Sequence, residues 1–153
     1  MNISIRDVTN EIVPDILSLS VDETQTTFIE TTEQCLKEAK ECAIYKPVGL
    51  YSDNNLVGFA MYGFFSDESK NGRIWLDRFL IDKKYQGCGL GTILLKELID
   101  KITEEFSCQK LYLSIVGNNK RALHLYEKFD FHLNGESDVN DEKIMVKTIS
   151  VSK

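Results

Sequence analysis

The stretch YQGCGLGTILLKELIDKI, at positions 85 to 102, determines how the rest of the chain is interpreted. Three of the chain's nine glycines, Gly87, Gly89 and Gly91, are separated by single residues and stand directly before a helical pattern. Glycine lets a backbone approach a ligand closely, and the start of a helix offers N–H groups to an anion. The stretch therefore predicts a loop that binds a phosphate group.

Length, composition and charge limit the class of protein. The chain has 153 residues, 42% hydrophobic and 27% charged, which predicts one globular domain over residues 1–153. The N-terminus does not resemble a signal peptide and no apolar run is long enough to span a bilayer, so we expect a cytoplasmic protein without a membrane partner. A net charge of −6 and a pI near 5.0 argue against a nucleic-acid partner and suit a cationic one.

The cysteines and histidines give no sign of a metal centre. The four cysteines, at positions 35, 42, 88 and 108, form no CxxC pair or metal-ligand spacing, and the chain has two histidines. We therefore expect reduced thiols and no metal.

Hydrophobic periodicity predicts seven strands and four helices. Before the glycine stretch the order is a strand at 3–8, helices at 12–20 and 31–41, a hairpin of strands at 48–52 and 56–65, and a strand at 73–82. Thr9 or Asn10 is expected to cap the first helix, whose first turn contains Pro14. After the stretch follow a helix at 90–106, a strand at 110–116, a helix at 118–129, and strands at 131–136 and 142–149. A mixed sheet with helices on both faces, an α/β fold in the broad sense, buries these patterns.

Two phosphate-binding interpretations of the stretch compete. A dinucleotide site would need G-x-G-x-x-G near the first strand, but the third position is Thr92, the stretch begins at position 85, and no acidic residue closes the next strand at 116–118. The alternative is Q-x-x-G-x-G, which Gln86, Gly89 and Gly91 satisfy and in which backbone amides and a helix N-terminus surround a diphosphate. A glycine-rich turn that binds nothing remains possible on this motif alone.

A second motif, N-x-x-A-x-x-L-Y, runs from Asn119 to Tyr126 and continues to Phe131. Together the two motifs resemble the GNAT family of acetyl-CoA-dependent N-acetyltransferases, over residues 3–149. The segments KPVGLY, LVGFAMYG, NGRIWLDRFLID, YQGCGLG and EKIMVK further resemble bacterial spermine/spermidine (diamine) acetyltransferases. The resemblance implies the GNAT fold: a central mixed, mostly antiparallel sheet of about seven strands flanked by about four helices.

The resemblance implies acetyl-CoA as the acetyl donor and assigns residues to it. The backbone at Phe79, Leu80 and Ile81 would pair with the pantetheine arm. Asn119 would contact the donor near its pantetheine or phosphate portion, and Ala122 and Tyr126 would also contact the donor. The loop implied for the diphosphate comprises Gln86, Gly87, Cys88, Gly89, Leu90, Gly91 and Thr92. Asn119 is equally well explained as a helix N-cap.

Acetyl transfer to an amine needs a neutral amine and a proton for the leaving thiolate. Tyr126 matches the family tyrosine that protonates the sulfur, and its usual pKa of about 10 keeps it protonated at pH 7. The alternative is that Tyr126 is a core tyrosine without a catalytic role.

Asp77 is the expected base or amine contact, because an acid among aromatic side chains is partly desolvated and becomes a better proton acceptor. An ion pair with Arg73 or Arg78 is as plausible.

Simple alternation in the strand places Asp77 on one face with Trp75, Phe79 and Ile81, although a bulge of the kind found in the family would change that. Direct attack of the amine on the thioester is favoured over an acetyl-enzyme on Cys88.

An acidic first third of the chain suits a polycationic acceptor. The carboxylates there are Asp22, Glu23, Glu30, Glu33, Glu38 and Glu41, of which Glu23 and Glu30, with Trp75 and Asp77, are the expected substrate contacts. A solvated helix face explains most of them equally well.

The rival functions are the same chemistry on another amine (a protein N-terminus or lysine, an amino acid, an aminoglycoside) and an acyl-CoA or polyamine sensor without turnover. By analogy with the family we expect a homodimer.

One position departs from the family pattern. Asp130 stands where the family usually has glycine, directly before Phe131. A left-handed conformation is expected there, which Asp tolerates less well than Gly.

Overall fold

The structure, a computed structural model, describes residues 2–19, 32–42, 44–66, 72–87, 89–106, 110–115, 120–137 and 142–149. The strands in these ranges are β1 (Ile3–Asp7), β2 (Lys46–Ser52), β3 (Asn55–Phe65), β4 (Arg73–Ile81), β5 (Lys110–Ile115), β6 (His132–Ser137) and β7 (Lys143–Thr148). The α-helices are α1 (Val13–Leu17), α2 (Thr32–Glu41), α3 (Leu90–Phe106) and α4 (Lys120–Glu127), with a short 3₁₀ turn at Lys83–Tyr85.

All seven strands belong to one mixed sheet, in the order β1-β2-β3-β4-β5-β7-β6. The β4–β5 pair is parallel, and every other neighbouring pair is antiparallel. The parallel pair needs a long crossover, which α3 supplies. This architecture confirms the predicted element order and the mixed, mostly antiparallel sheet.

Local sequence signals account for the first hairpin. Asp53 and Asn54 have φ angles of 51° and 70°, the left-handed region that a two-residue hairpin turn requires and that Asp and Asn tolerate well. The turn joins β2 to β3 where the sequence predicted it.

The predicted first helix was wrong in length and in its cap. Observed α1 is five residues long, and its N-cap is Ile12, which makes no side-chain capping hydrogen bond. Neither Thr9 nor Asn10 therefore caps the helix, although Pro14 does lie in its first turn as predicted. The other correction at a helix end concerns α4, which stops at Glu127 because a tight cap follows it.

The two faces of the sheet bury different hydrophobic cores. Phe59 and Met61 of β3 belong to one cluster, while Ala60 and Tyr62 belong to the other, as expected when neighbouring side chains alternate between faces. The first cluster, which we call the α2 core, includes Ile16, Cys35, Leu36 and Leu80 from α1, α2 and β4. The second, the α3 core, includes Leu94, Leu95, Leu98 and Ile102 of α3 with Leu111 and Leu113 of β5. Each such buried leucine stabilises the fold by roughly 1.5–3 kcal/mol.

A β-bulge interrupts β4 at Asp77. Met61 is opposite Arg78, but the next residue of β3, Tyr62, is opposite Leu76. Asp77 is thus the extra residue of the bulge, and the strand bends there.

The bulge overturns the predicted alternation along β4. Leu76 contributes to the α3 core, and after the bulge it is Ile81 that joins this core while Leu80 turns to the α2 core. Phe79 also packs against the α3 core. Trp75 and Asp77 consequently do not share one regular face with Phe79 and Ile81, because the extra residue shifts the two-residue period by one.

The parallel ladder between β4 and β5 is short. Among the described residues it comprises Ile74 opposite Leu111 and Trp75 opposite Tyr112, whose rings lie 5.4 Å apart. β4 continues through Ile81 and β5 through Ile115, so the two strands separate after this point. Ligands in open α/β sheets bind beyond the carboxyl ends of parallel strands, so this gap is the natural place for a site.

Candidate active site

The glycine loop begins where β4 ends, and several hydrogen bonds fix its approach. The N–H of Asp82 donates to the Val57 carbonyl at 2.7 Å, and a carboxylate oxygen of Asp82 accepts from the Lys84 N–H at 2.9 Å. Gln86 Nε2 donates to the Ile81 carbonyl at 2.9 Å. The glutamine of the Q-x-x-G-x-G motif thus ties the loop to the last residue of β4.

Two glycines of the loop are required by their backbone conformation. Gly87 and Gly89 have φ angles of 81° and 83°, which side-chain-bearing residues rarely adopt. A Cβ placed on either glycine would meet no atom within 4 Å. The loop is therefore shaped by left-handed backbone and is open on its outer surface, as a cradle for a ligand must be.

The loop delivers the chain directly into α3. The Ile93 N–H bonds the Gly89 carbonyl at 3.4 Å, so the helix starts at the second left-handed glycine. The first N–H groups of a helix have no intrahelical partner and carry a partial positive charge. The first turn of α3 contains no acidic residue, and the exposed Lys83 and Lys84 precede the loop. These features fit the diphosphate of coenzyme A.

The edge of β4 that faces away from β3 lies beside this loop. Phe79, Leu80 and Ile81 pair with Ala60, Phe59 and Gly58 of β3. In an antiparallel pair, half of a strand's backbone N–H and C=O groups point to the other side. For residues 79–81 that side is the gap where β5 has separated from β4, which suits an extended ligand running along the strand.

Tyr126 lies near the end of α4 and is half-buried against the α3 core. Its ring packs edge-to-face on Phe131, with centroids 5.7 Å apart and an interplanar angle of 68°. Burial raises the pKa of the Tyr126 phenol well above its ordinary value of 10.0. The hydroxyl is therefore protonated at neutral pH and available as a proton or hydrogen-bond donor.

A Schellman motif ends α4 and holds Tyr126 in place. The Phe131 N–H donates to the Tyr126 carbonyl at 3.2 Å, and the Asp130 N–H donates to the Glu127 carbonyl at 3.1 Å. Asp130 has a φ of 68°, which confirms the left-handed conformation expected at this departure from the family pattern. Lys147 of β7 adds a hydrogen bond from Nζ to the Phe129 carbonyl at 2.5 Å.

Asp77 lies in a charged cluster on the α2 side of the sheet. Burial, together with the negative charges of Asp77 and Glu38, raises the pKa of Tyr45 to about 12, and the positive charge of Arg78 opposes this shift. Arg78 Nη2 is 3.8 Å from Glu38 Oε2, and Arg78 Nη1 donates to the backbone carbonyl of Asp77 at 2.7 Å. We call Glu38, Tyr45, Asp77 and Arg78 the acceptor-side cluster; its net effect on the Tyr45 phenol is that of negative charge.

The remaining predicted site residues either pack elsewhere in the sheet and core or lie outside the described residues. Trp75 packs on Tyr112, over which Arg73 also lies at 4.5 Å from the ring centroid. Arg73 pairs with Glu136 at 3.3 Å. Ala122 packs against the α3 core. The predicted positions that lie outside the described residues are Glu23, Glu30, Cys88 and Asn119.

Sequence reasoning gave too little weight to Glu38, Tyr45 and Arg78. Their neighbour Asp77 was expected, but these three come from α2, from the segment before β2 and from the position after the bulge. Helical spacing could have placed Glu38 on the solvent-facing side of α2, whereas its proximity to Arg78 depends on the strand bulge and the packing of two layers.

The described part of the chain contains neither a cluster of metal ligands nor a helix suited to a membrane. No group of three or more His, Cys, Asp or Glu residues there could hold a metal ion. None of its helices combines the length and apolar composition needed to cross a membrane.

Known proteins resemble this chain along nearly its whole length. The model of the acetyltransferase (GNAT) family matches residues 8–131. A probable spermine N(1)-acetyltransferase of Bacillus subtilis subsp. natto (strain BEST195) is 53% identical over 152 residues, covering 97% of this chain and 100% of that protein. The spermine/spermidine N(1)-acetyltransferase of Bacillus subtilis (strain 168) is 52% identical with the same coverage.

Solved structures share the architecture at much lower identity. The aminoglycoside acetyltransferase AAC(6')-Ib in complex with coenzyme A has a TM-score of 0.80 and 18% identity, covering 96% of this chain and 95% of that one. The PaiA N-acetyltransferase of Thermoplasma acidophilum in complex with coenzyme A has a TM-score of 0.71 and 20% identity, covering 97% and 100%. The family match and the near-full-length relatives establish what the fold and glycine loop indicated: the chain belongs to the acetyltransferase (GNAT) family.

Proposed function

We propose that the chain transfers an acetyl group from acetyl-CoA to a primary amine of a polyamine (spermine, spermidine or a diamine) by direct attack of the amine on the thioester. The observation that carries the proposal is the arrangement along the end of β4. The acceptor-side cluster is at the Asp77 bulge, and the open glycine loop begins after Ile81. The names of the two Bacillus relatives support the choice of acceptor.

The donor would be held mainly by backbone groups. Gly87, Gly89 and the first turn of α3 are suited to the diphosphate, and the free edge of residues 79–81 is suited to the extended arm. Acetyl-CoA supplies an acyl group already activated as a thioester. The chain's contribution on this side is to position that group in the gap between β4 and β5.

The acceptor would be held by charge. A polyamine nitrogen, with a pKa of about 10, is almost fully protonated at neutral pH. The negative field that Asp77 and Glu38 create around Tyr45 attracts such a cation. Asp77 then accepts the proton that the amine must lose, directly or through water, before the nitrogen can attack.

Tyr126 would supply the proton at the other end of the reaction. Its phenol, with a raised pKa, remains protonated at working pH, so it can donate to the sulfur as the C–S bond breaks. The Schellman motif and Phe131 fix the ring, so little ordering is needed when the substrates bind.

A panel of amines with acetyl-CoA, followed by release of free thiol, tests the proposed acceptor. We expect kcat/KM for spermine and spermidine to exceed that for lysine peptides, free amino acids and aminoglycosides by at least about tenfold, because the cluster would hold several cationic centres spaced along one extended, flexible chain. The opposite ranking would establish the rival function, acetylation of another amine. Binding of acetyl-CoA and spermine without thiol release would instead support a sensor.

The assembly and location remain part of this proposal. We propose a cytoplasmic homodimer, by analogy with the family. Light scattering coupled to size-exclusion chromatography tests this assembly. The monomer mass is 17.5 kDa, and a dimer should show twice that mass.

A further inference from the structure

Arg78 follows the bulged residue, and its side chain returns to that bulge. A bulge removes one residue from regular ladder geometry and leaves the local backbone free to twist. Here the Arg78 guanidinium donates from Nη1 to the Asp77 carbonyl at 2.7 Å, so the bulge is held by a charge-assisted hydrogen bond. Such bonds are roughly twice as strong as those between neutral groups.

The other end of the same guanidinium points to α2. Arg78 Nη2 is 3.8 Å from Glu38 Oε2, and the Arg78 side chain is 19% exposed, compared with 38% for Glu38. The planar fork can therefore hold the bulge and face α2 at the same time, which a lysine ammonium could not do with the same geometry. One side chain thereby connects the bulge of β4 to the helix that covers it.

Both contacts constrain the position of the Asp77 carboxylate. The negative charges of Asp77 and Glu38 both raise the pKa of Tyr45, and Arg78 contacts the Asp77 backbone and lies 3.8 Å from Glu38. A small rotation of the backbone at Asp77 would move its carboxylate away from an amine bound in this cluster. Misplacement of a reacting group by about 1 Å can cost on the order of 100-fold in rate.

We propose that Arg78 is a positioning residue for acetyl transfer: it clamps the backbone of the Asp77 bulge and, through Glu38, anchors α2 over it, so that the Asp77 carboxylate meets the acceptor amine. This inference rests on the role proposed above for Asp77. It assigns Arg78 a function that is separate from holding the substrate.

The test compares Arg78→Met with a matched control on the same strand. Arg73 is 21% exposed, has its own ion pair with Glu136 and lies before the bulge, so Arg73→Met removes an equivalent side chain from β4. We expect Arg78→Met to lower kcat about tenfold or more while KM for acetyl-CoA changes less than about twofold. Arg73→Met should leave both constants within about twofold, with a similar change in melting temperature.

Two further variants separate charge from geometry. Arg78→Lys keeps the positive charge but not the fork, so it should recover only part of the lost kcat. Glu38→Gln keeps the shape of the anchor and removes its charge, and a reduction of kcat by about threefold is expected. If Arg78→Met does not fold, these two variants carry the test.

A double-mutant cycle with Asp77→Asn distinguishes the inference from the proposed function. If Arg78 acts through Asp77, adding Arg78→Met to Asp77→Asn should reduce kcat by less than about threefold further. Multiplicative effects, or a wild-type kcat for Arg78→Met, would overturn the positioning role and leave the role of Asp77 intact. A wild-type kcat for Asp77→Asn would overturn the role of Asp77 itself, and the inference with it.

Discussion

The proposed donor side and the proposed acceptor side of the site are built from different kinds of groups. On the donor side, left-handed glycines, a helix N-terminus and a strand edge present backbone groups, all from residues 79–92. On the acceptor side, the side chains of Glu38, Tyr45, Asp77 and Arg78 come from three separate segments. A backbone site recognises a diphosphate that every donor of this kind carries, whereas a side-chain site can be changed by single substitutions to suit another acceptor.

This difference has a consequence for mutations. Donor-side changes should act through conformation, because the groups proposed to bind the donor there are mainly backbone groups. Acceptor-side changes should act through charge and orientation.

Tyr126→Phe should have the largest effect, because it removes the proposed proton donor and keeps the ring that packs on Phe131. We expect kcat to fall at least about 100-fold, the usual contribution of a positioned general acid, with KM for acetyl-CoA nearly unchanged. Thiol release measures the rate, and a thermal melt checks that the fold persists. Unchanged turnover would remove the general-acid role and leave Tyr126 as a core residue.

Gly89→Ala tests whether the donor side depends on backbone conformation. Alanine disfavours the φ of 83°, so we expect a loss of about 1 kcal/mol in unfolding free energy and an increase of about tenfold in KM for acetyl-CoA. Gly135→Ala is the matched control, since Gly135 has a φ of 86° and equal space around it but lies in β6. An equal KM increase in both variants would contradict a specific donor site at the loop.

Asp130→Gly should stabilise the protein slightly without changing turnover. Relief of the left-handed strain at Asp130, about 1 kcal/mol, outweighs the added chain entropy of glycine, so a net gain of about 0.5 kcal/mol is expected. Urea unfolding measures it. Lys128→Gly is the control: its N–H bonds the His124 carbonyl in helical geometry, and glycine there should cost about 1 kcal/mol.

Asp77→Asn should also produce a small change that can be measured apart from activity, a lower pKa of Tyr45. The pKa of Tyr45 is raised to about 12 by burial and then by Asp77 and Glu38, whereas that of Tyr62 is raised to about 12 by burial and then by Asp7. Removing the Asp77 charge should therefore lower the pKa of Tyr45 and leave that of Tyr62 in place. Carbon-13 NMR of labelled tyrosine rings resolves the two, and equal shifts would show that Asp77 is not a neighbour of Tyr45.

The same pKa values set the alkaline limit of stability. A phenol whose pKa is higher in the folded protein than the unfolded value of 10.0 stabilises the fold fully below pH 10. That contribution is lost as the pH rises from 10 to about 12, at up to about 1.4 kcal/mol per pH unit for each such tyrosine. Because the Tyr62 hydroxyl is buried and donates to Glu105 at 2.6 Å, Tyr62→Phe should flatten this decline.

The backbone of the proposed donor side could be predicted from the sequence because its signals are local. The spacing of Gln86, Gly89 and Gly91 and the helical period after it are contained in one stretch, and α3 begins at Leu90 as expected. The left-handed turn at Asp130 was also local, since one residue type at one helix end determines it. Backbone conformation at such positions depends on the residue itself more than on distant partners.

The acceptor side could be predicted only in part. Asp77 was proposed from the sequence, but strict alternation wrongly placed it on the same face of β4 as Phe79 and Ile81. The bulge that separates them depends on how β3 and β4 pair, and the paired residues are roughly 15 positions apart in sequence. The contact of Arg78 with Glu38 requires α2 to dock on β4, and no periodicity encodes that distance. The cap of α1 failed for a similar reason, since tertiary packing rather than a side-chain cap starts that helix.

The short ladder between β4 and β5 also has a mechanical consequence. In the described residues, two residue pairs join the β1–β4 wing of the sheet to the wing formed by β5, β7 and β6. Leucines of α3 belong to the same buried core as residues of both wings, so a change of side-chain volume in this helix should alter how the two wings pack. Substitutions of core residues beneath α3 should therefore change the width of the gap between β4 and β5, even though these residues are not part of the proposed site.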